Sequence, residues 1–158
     1  TGLCAGFLRK YAKELSGVDL SPKMLVGARQ KNIYDFLSRT DLSERVTFPD
    51  GPFDMIIRGD VFVFFGAVDA VLKNFHSVLS PGAWVFATVE DEDEKTGGIG
   101  YRLNKSGRYK HSRNYVLRTL SDAGFPKPKI LRHAPIRTEM LKPVMGTVFA
   151  VQKPVLSF

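Results

Sequence analysis

The sequence predicts an α/β fold with mostly parallel strands, on three observations. A short strand at 15–19 ends in an acid, and apolar strands at 53–57 and 83–89 are bounded by acids or turn residues. Between the last two lies Val68 to Leu79, where Val68, Val71, Leu72, Phe75, Val78 and Leu79 recur at three and four, the period of a helix with one buried face. Ala83 to Val89 is a nearly unbroken apolar run, as expected of a strand covered on both faces.

The elements follow in order. Residues 3–13 place Leu3, Phe7, Leu8 and Tyr11 on one helical face. Leu15 to Asp19 is a short strand. Ser21 caps the next helix, with Pro22 at its first position, where the missing N–H costs nothing. Met24, Leu25 and Ala28 are the inward residues of that helix. A short strand is expected near Phe36, with a loop at Thr40-Asp41-Leu42. Asp50-Gly51-Pro52 is a turn leading into the strand at 53–57, which Arg58-Gly59-Asp60 closes. Pro81-Gly82 ends the periodic helix. Residues 90–111 read as irregular: five acids from Glu90 to Glu94, then Gly97, Gly98 and Gly100, then a basic stretch. A helix from about Ser112 to Ala123 turns Tyr115, Val116 and Leu120 inward, and Gly124 stops it. Lys129–Ala134 and Thr147–Gln152 read as antiparallel strands joined by a loop around Pro143.

A chain of 158 residues fits one domain, 1–158, with a sizeable core. Its 44% apolar and 25% charged residues are ordinary for a globular protein. One Cys excludes an internal disulfide, and with three scattered His it argues against a metal site. No run approaches the ~20 apolar residues of a membrane span, and no signal peptide is evident, so the expected location is cytoplasmic. The net charge of +7 is uneven: residues 1–100 carry 11 basic and 14 acidic side chains, residues 101–158 carry 12 and 2. The basic third is either a solvated surface or a rim that steers an anionic small molecule or protein. The aromatic–basic interleaving of nucleic-acid binders is missing, so neither nucleic acid nor membrane is an expected partner. The oligomeric state is left open.

In open parallel sheets, ligands bind at the carboxyl ends of the strands. Asp19 ends one, 17 residues after Gly2, where a carboxylate can accept from two vicinal ribose hydroxyls; an acid near a helix N-terminus is the plainer alternative. Gly2 would let the chain approach a ligand closely. Asp41 either accepts from an adenine amino group or caps a helix. Asp60 either orients a cofactor amino group, directly or through water, or caps a turn. Tyr101 to His111 is a donor-rich loop suited to covering a substrate, with Tyr101, Arg102, Arg108 and Tyr109 as substrate contacts and the two arginines as anion binders. His111 is the candidate general base, since an imidazole titrates near neutrality; a surface loop is the alternative. His76 reads as structural, and His133 has no acid beside it in sequence.

Thr1-Gly2, the run Gly17-Val18-Asp19-Leu20-Ser21-Pro22-Lys23-Met24-Leu25, Phe53-Asp54 and Leu79-Ser80-Pro81-Gly82 together resemble the Rossmann-like class I S-adenosylmethionine-dependent methyltransferases. Gly100 through His111 also resembles a subgroup of predicted methyltransferases, some of which carry tetratricopeptide repeats; no such repeats occur here. The resemblance implies S-adenosylmethionine as cofactor. Thr1 and Gly2 match the end of a glycine motif around the methionine part, and Asp19 the acid on the ribose. Leu20 matches the apolar residue that packs on adenine, with Met24 near it, and Asp41 and Leu42 match the segment that meets the adenine edge. Gly59, Asp60 and Val61 match the segment that lines the methionine and substrate side. His111 or Asp60 would serve as base for an acceptor that needs one.

The resemblance further implies a sheet whose first strand and most of whose glycine motif precede Thr1. The expected domain is therefore a Rossmann-like sheet with its first strand missing and a C-terminal antiparallel hairpin, its activity in isolation open. Two rivals stand beside it. A nicotinamide-dependent dehydrogenase also carries an acid after its second strand, but the LSPG turn and late hairpin argue against it. A non-catalytic scaffold of the same fold is the other.

Overall fold

A computed structural model describes residues 2–44, 52–93 and 98–155. Thr1, most of the expected turn at 50–52, Glu94 and Gly97 lie outside the described residues. The chain divides into two compact units, Thr1–Val46 and Thr47–Phe158.

The first unit runs α1 (Ala5–Leu8), a 3-10 turn (Arg9–Tyr11), β1 (Ser16–Asp19), α2 (Pro22–Arg29) and β2 (Phe36–Arg39). β1 and β2 pair in parallel from Ser16↔Phe36 to Asp19↔Arg39, with α2 as the crossover that parallel pairing requires. Arg9 ties the unit's start to its end: it donates to Asp35 at 2.5 Å and to the carbonyls of Ala12 and Lys13 at 2.6 and 2.8 Å.

Three expectations for this unit are corrected. The helix expected over 3–13 is only one turn, followed by a 3-10 turn, and Leu3, Phe7 and Tyr11 are exposed. No side chain caps it, and Gly6 in its middle lowers helix propensity. In α2, Leu25 and Ala28 are buried as expected, but Met24 is exposed. Ser21 stands at the N-cap with extended backbone, yet its side chain makes no capping bond. Its N–H instead donates to the Asp19 carboxylate at 2.8 Å.

The second unit runs β3 (Phe53–Arg58), a 3-10 turn (Phe62–Phe64), α3 (Asp69–Val78), β4 (Leu79–Glu90), β5 (Tyr101–Leu103), β6 (Tyr109–His111), α4 (Arg113–Asp122), β7 (Ile130–Glu139) and β8 (Lys142–Gln152). Its main sheet has the order β3-β4-β8-β7. The β3–β4 pair is parallel and the others antiparallel; β5 and β6 form a separate hairpin. Phe62 and Phe149 stack at 6.3 Å and Phe75 joins them at 6.2 Å, in a core that buries Val71 and Leu72 of α3 and Val116 and Leu120 of α4. Each such large side chain contributes roughly 1.5–3 kcal/mol by leaving water. Ser112 caps α4, its Oγ accepting from the Tyr115 N–H at 3.3 Å. Gly124 follows α4 at φ +92, against the His76 ring, so His76 is a packing residue, set edge-on to Phe125.

Here too the structure departs from the sequence reading. Residues 90–111 contain the β5–β6 hairpin. α3 passes straight into β4 at Leu79, before Pro81-Gly82; those two residues fall where the β3–β4 register shifts between Phe53↔Leu79 and Met55↔Trp84. β4 is buried on one face only, with Trp84, Phe86 and Thr88 half-buried on the other. β7 and β8 are ten and eleven residues long, and they meet through Met140-Leu141 rather than a loop at Pro143. Pro135 sits at a register shift and Pro143 near a strand start, positions where a missing N–H is tolerated. Among the described residues, no helix is long and apolar enough to cross a membrane.

Candidate active site

In the first unit, the parallel pair places Asp19 opposite Arg39 at the carboxyl ends of its strands. The turn beyond is cross-linked: Thr40 N–H donates to the Asp19 carbonyl at 3.1 Å, and Arg39 Nε donates to the Leu20 carbonyl at 3.2 Å. The Ser21 bond fixes Asp19 Oδ1, so the carboxylate is oriented by its own chain at the helix N-terminus. Leu20 is 54% and Met24 45% exposed, two apolar side chains within a turn of that acid. Gly2 has φ +64, and a Cβ there would lie 2.3 Å from the Tyr34 hydroxyl, so a side chain would strain the backbone and displace the Tyr34 ring. Asp41 accepts at Oδ1 from Ser43 N–H at 2.9 Å and Ser43 Oγ at 2.6 Å. The Ser43 hydroxyl, then its backbone N–H, lowers the Asp41 pKa. These bonds close a local turn over Asp41–Ser43, where the sequence offered a helix cap as the alternative to an adenine contact. Leu42 is buried.

In the second unit, Gly59, Asp60 and Val61 follow β3. Asp60 has φ +53, a left-handed backbone uncommon for a non-glycine residue. Its N–H donates to Thr88 Oγ1 at 2.9 Å, and its Oδ1 accepts from Arg137 at 2.8 Å. Arg137 also donates to Glu139 at 2.9 Å and makes a very close contact with Glu90. Lys110 reaches Glu90 at 3.2 Å, and Arg108 pairs closely with Glu139. Three carboxylates and three cations from three strands (β4, β6 and β7), the β5–β6 turn and the turn after β3 thus form one network around the carboxyl ends of β3 and β4. Burial opposes the Arg137 charge, but its bonds to Glu90 and Glu139 and the charges of Asp60 and Glu90 outweigh this and raise its pKa.

The sequence missed Glu90, Lys110, Arg137 and Glu139 as site residues. Glu90 was legible in one respect: it ends a strand as Asp19 does. Arg137 comes 77 residues after Asp60, a pairing no local pattern announces. His133, likewise, meets Asp91 at 2.5 Å.

The loop residues divide between two settings. Tyr101, Tyr109, His111 and Tyr115 pack together, with ring centroids 5.3–6.2 Å apart where Tyr101 meets the other three. Arg102 and Arg108 are paired with Glu92 and Glu139, so an anionic ligand would compete with those carboxylates. A cleft of ≈ 440 Å³ opens beside Ile99, Tyr101, Arg102, Asn114 and Arg118.

His111 is fully enclosed at 0% exposure. Its Nε2 lies 2.9 and 3.0 Å from the Phe65 and Gly66 carbonyls; two acceptors there require that Nε2 carry the proton. Nδ1 is buried with no hydrogen-bond partner. The ring is therefore set as a neutral donor inside the unit, which fits neither the base in a substrate-covering loop nor the surface-loop histidine that the sequence offered. Burial lowers its pKa, and the two carbonyls offset this in part. The native state keeps His111 neutral, whereas an unfolded chain protonates it below about pH 6.5. Stability is therefore expected to fall as pH drops from about 6.5 toward the folded pKa. Urea unfolding across that range should show a shallower loss for His111→Phe than for the parent, and equal slopes would refute the linkage.

A family model described as "Methyltransferase domain" matches residues 1–87, more than half of the chain. No curated protein matches. Among solved structures, the chain is similar to a SAM-dependent methyltransferase from Methanosarcina mazei, with TM-score 0.78 and 16% identity over 98% of this chain and 89% of that one. It is similar to an S-adenosylmethionine-dependent methyltransferase from Mesorhizobium loti, with TM-score 0.72 and 19% identity over 96% and 86%. A third is the Burkholderia thailandensis 1,6-didemethyltoxoflavin-N1-methyltransferase, solved with bound 1,6-didemethyltoxoflavin and S-adenosylhomocysteine, with TM-score 0.71 and 17% identity over 97% and 67%. The chain belongs to the methyltransferase domain family, and its fold is the Rossmann-like fold of class I S-adenosylmethionine-dependent methyltransferases.

Proposed function

We propose that the protein binds S-adenosylmethionine and transfers its methyl group to an acceptor, with Asp19 holding the cofactor ribose. The observation that carries this is Asp19 itself: a carboxylate at the end of a parallel strand, oriented by the Ser21 N–H and followed by exposed Leu20 and Met24. A vicinal diol that donates to the carboxylate and a flat base that packs on the apolar pair are what this arrangement suits. Thr1 and Gly2 belong to the methionine part, Asp41 and Leu42 to the adenine edge, and Gly59, Asp60 and Val61 to the methionine and substrate side.

The cofactor, when bound, supplies a methyl group already activated by its sulfonium. The chain's work is then placement, which alone can lower a barrier by several kcal/mol. Asp60 is held in place by Arg137 and Thr88. With His111 enclosed and Asp60 ion-paired, the reading favours an acceptor whose nucleophile needs no protein base, such as a carboxylate or a neutral amine. In that reading Tyr101, Arg102, Arg108 and Tyr109 contact the acceptor.

The same two observations favour a second reading, a non-catalytic domain that binds the cofactor without turning it over. Incubation with methyl-tritiated S-adenosylmethionine and a small-molecule extract separates the two. Label transfer with release of S-adenosylhomocysteine supports the enzyme, and cofactor binding without transfer supports the second reading.

A further inference from the structure

The β7–β8 hairpin turns through Met140 and Leu141, with Glu139 paired to Lys142 on either side. Both turn residues have positive φ, +46 and +62. A two-residue turn of that kind favours Asn-Gly, because side chains larger than glycine crowd the backbone there. Met and Leu are poor choices for it, and they are 96% and 97% exposed, so packing within the chain does not compensate for them. Where a sequence breaks a local rule with no structural return, function is the first explanation to test.

The position of the turn says which function. Gly146 of β8 lies opposite Glu90 at the end of β4, so Lys142 to Met145 carry the hairpin about 13 Å beyond the carboxyl edge of that strand. Ligands of parallel sheets bind at that edge. The base of the hairpin is tied there by Arg137, which bonds Asp60 and contacts Glu90. The pairing of Glu139 with Arg108 brings the turn of the β5–β6 hairpin alongside, with Leu103 54% exposed at its foot. Lys105, two residues after Leu103, and Lys142, next to Leu141, are exposed.

We propose that Met140 and Leu141 are specificity-determining residues that seat the apolar part of the methyl acceptor, an amphiphile with an alkyl or aryl group and an anionic end drawn by Lys105 and Lys142. This rests on the methyltransferase reading for the word acceptor, but its test does not need turnover. Acetate, hexanoate and decanoate are titrated into protein carrying ¹³C-methyl methionine, in which Met140 is one of four methionines. The Met140 methyl signal is expected to move with decanoate and not with acetate, and affinity to rise roughly tenfold or more from hexanoate to decanoate. The variant Met140→Asn/Leu141→Gly is expected to bind decanoate roughly tenfold more weakly, while its Tm rises by about 3–6 °C as the strain is relieved. Leu141→Asn alone serves as a second variant, with the same direction in both readouts. A Met140 signal unmoved by decanoate, or variants that bind it as the parent does, would overturn the proposal. Absence of S-adenosylmethionine binding in parent and variants alike would count against the methyltransferase reading and leave the hairpin result standing.

Discussion

Replacing Arg137 by Met is expected to destabilise the second unit by about 3 kcal/mol, the scale for removing one partner from a buried ion pair. The contact with Glu90 decides the magnitude. The Glu90 side chain is 4% and Arg137 12% exposed, so the carboxylate left behind is cut off from water and, among the described residues, retains Lys110 as its one ion-pair partner. The bonds to Asp60 and Glu139 are a third exposed on the acid side and contribute about 0–1 kcal/mol each. A denaturant titration should show the midpoint falling with an unchanged slope. Glu90→Gln in the same chain should recover part of the loss, since a neutral amide is less costly to bury than an uncompensated charge. A loss under about 1 kcal/mol would mean that the network is a solvated surface cluster. Methyl transfer should fall further than stability explains, because Asp60 loses its clamp.

Asp19→Ala is expected to weaken S-adenosylmethionine binding about 100-fold, the effect of losing two hydrogen bonds to a charged acceptor. The fold should lose only about 1 kcal/mol, for the bond from the Ser21 N–H. Asp41→Ala is the internal comparison. Its carboxylate is held by Ser43, so its loss should affect affinity less than that of Asp19. Parallel calorimetric titrations read both, and an Asp19→Ala affinity equal to the parent's would remove the ribose role.

Much of the α/β pattern was legible because it rests on local periodicity. The Val71, Leu72 and Phe75 face of α3 and the Tyr115, Val116 and Leu120 face of α4 are buried as the three-and-four spacing implies. The spacing failed at Leu3, Phe7 and Tyr11, where the periodic apolar face is exposed. Periodicity states which residues share a face and says nothing of what covers it. The β5–β6 hairpin was missed because its strands are three residues long and polar. The β7–β8 turn was missed because the sequence carries its turn signal at Pro143, whereas the chain turns at two apolar residues.

The site was legible to the same depth. Asp19 and Asp60 stand where strand ends put them. The partners that define Asp60, namely Arg137 and through it Glu90, come from distant strands and are visible only once the sheet order β3-β4-β8-β7 is known. The setting of His111 was the least legible feature: its neighbours at Phe65 and Gly66 lie some 45 residues away, and they turn a loop histidine into an enclosed donor.

The central claim is that this chain takes S-adenosylmethionine through Asp19 rather than a nicotinamide dinucleotide. Calorimetric titration of the protein with S-adenosylmethionine, and separately with NAD, tests it most directly. Saturable one-to-one heat with S-adenosylmethionine and none with NAD is the predicted result; saturable heat with NAD and none with S-adenosylmethionine would contradict it.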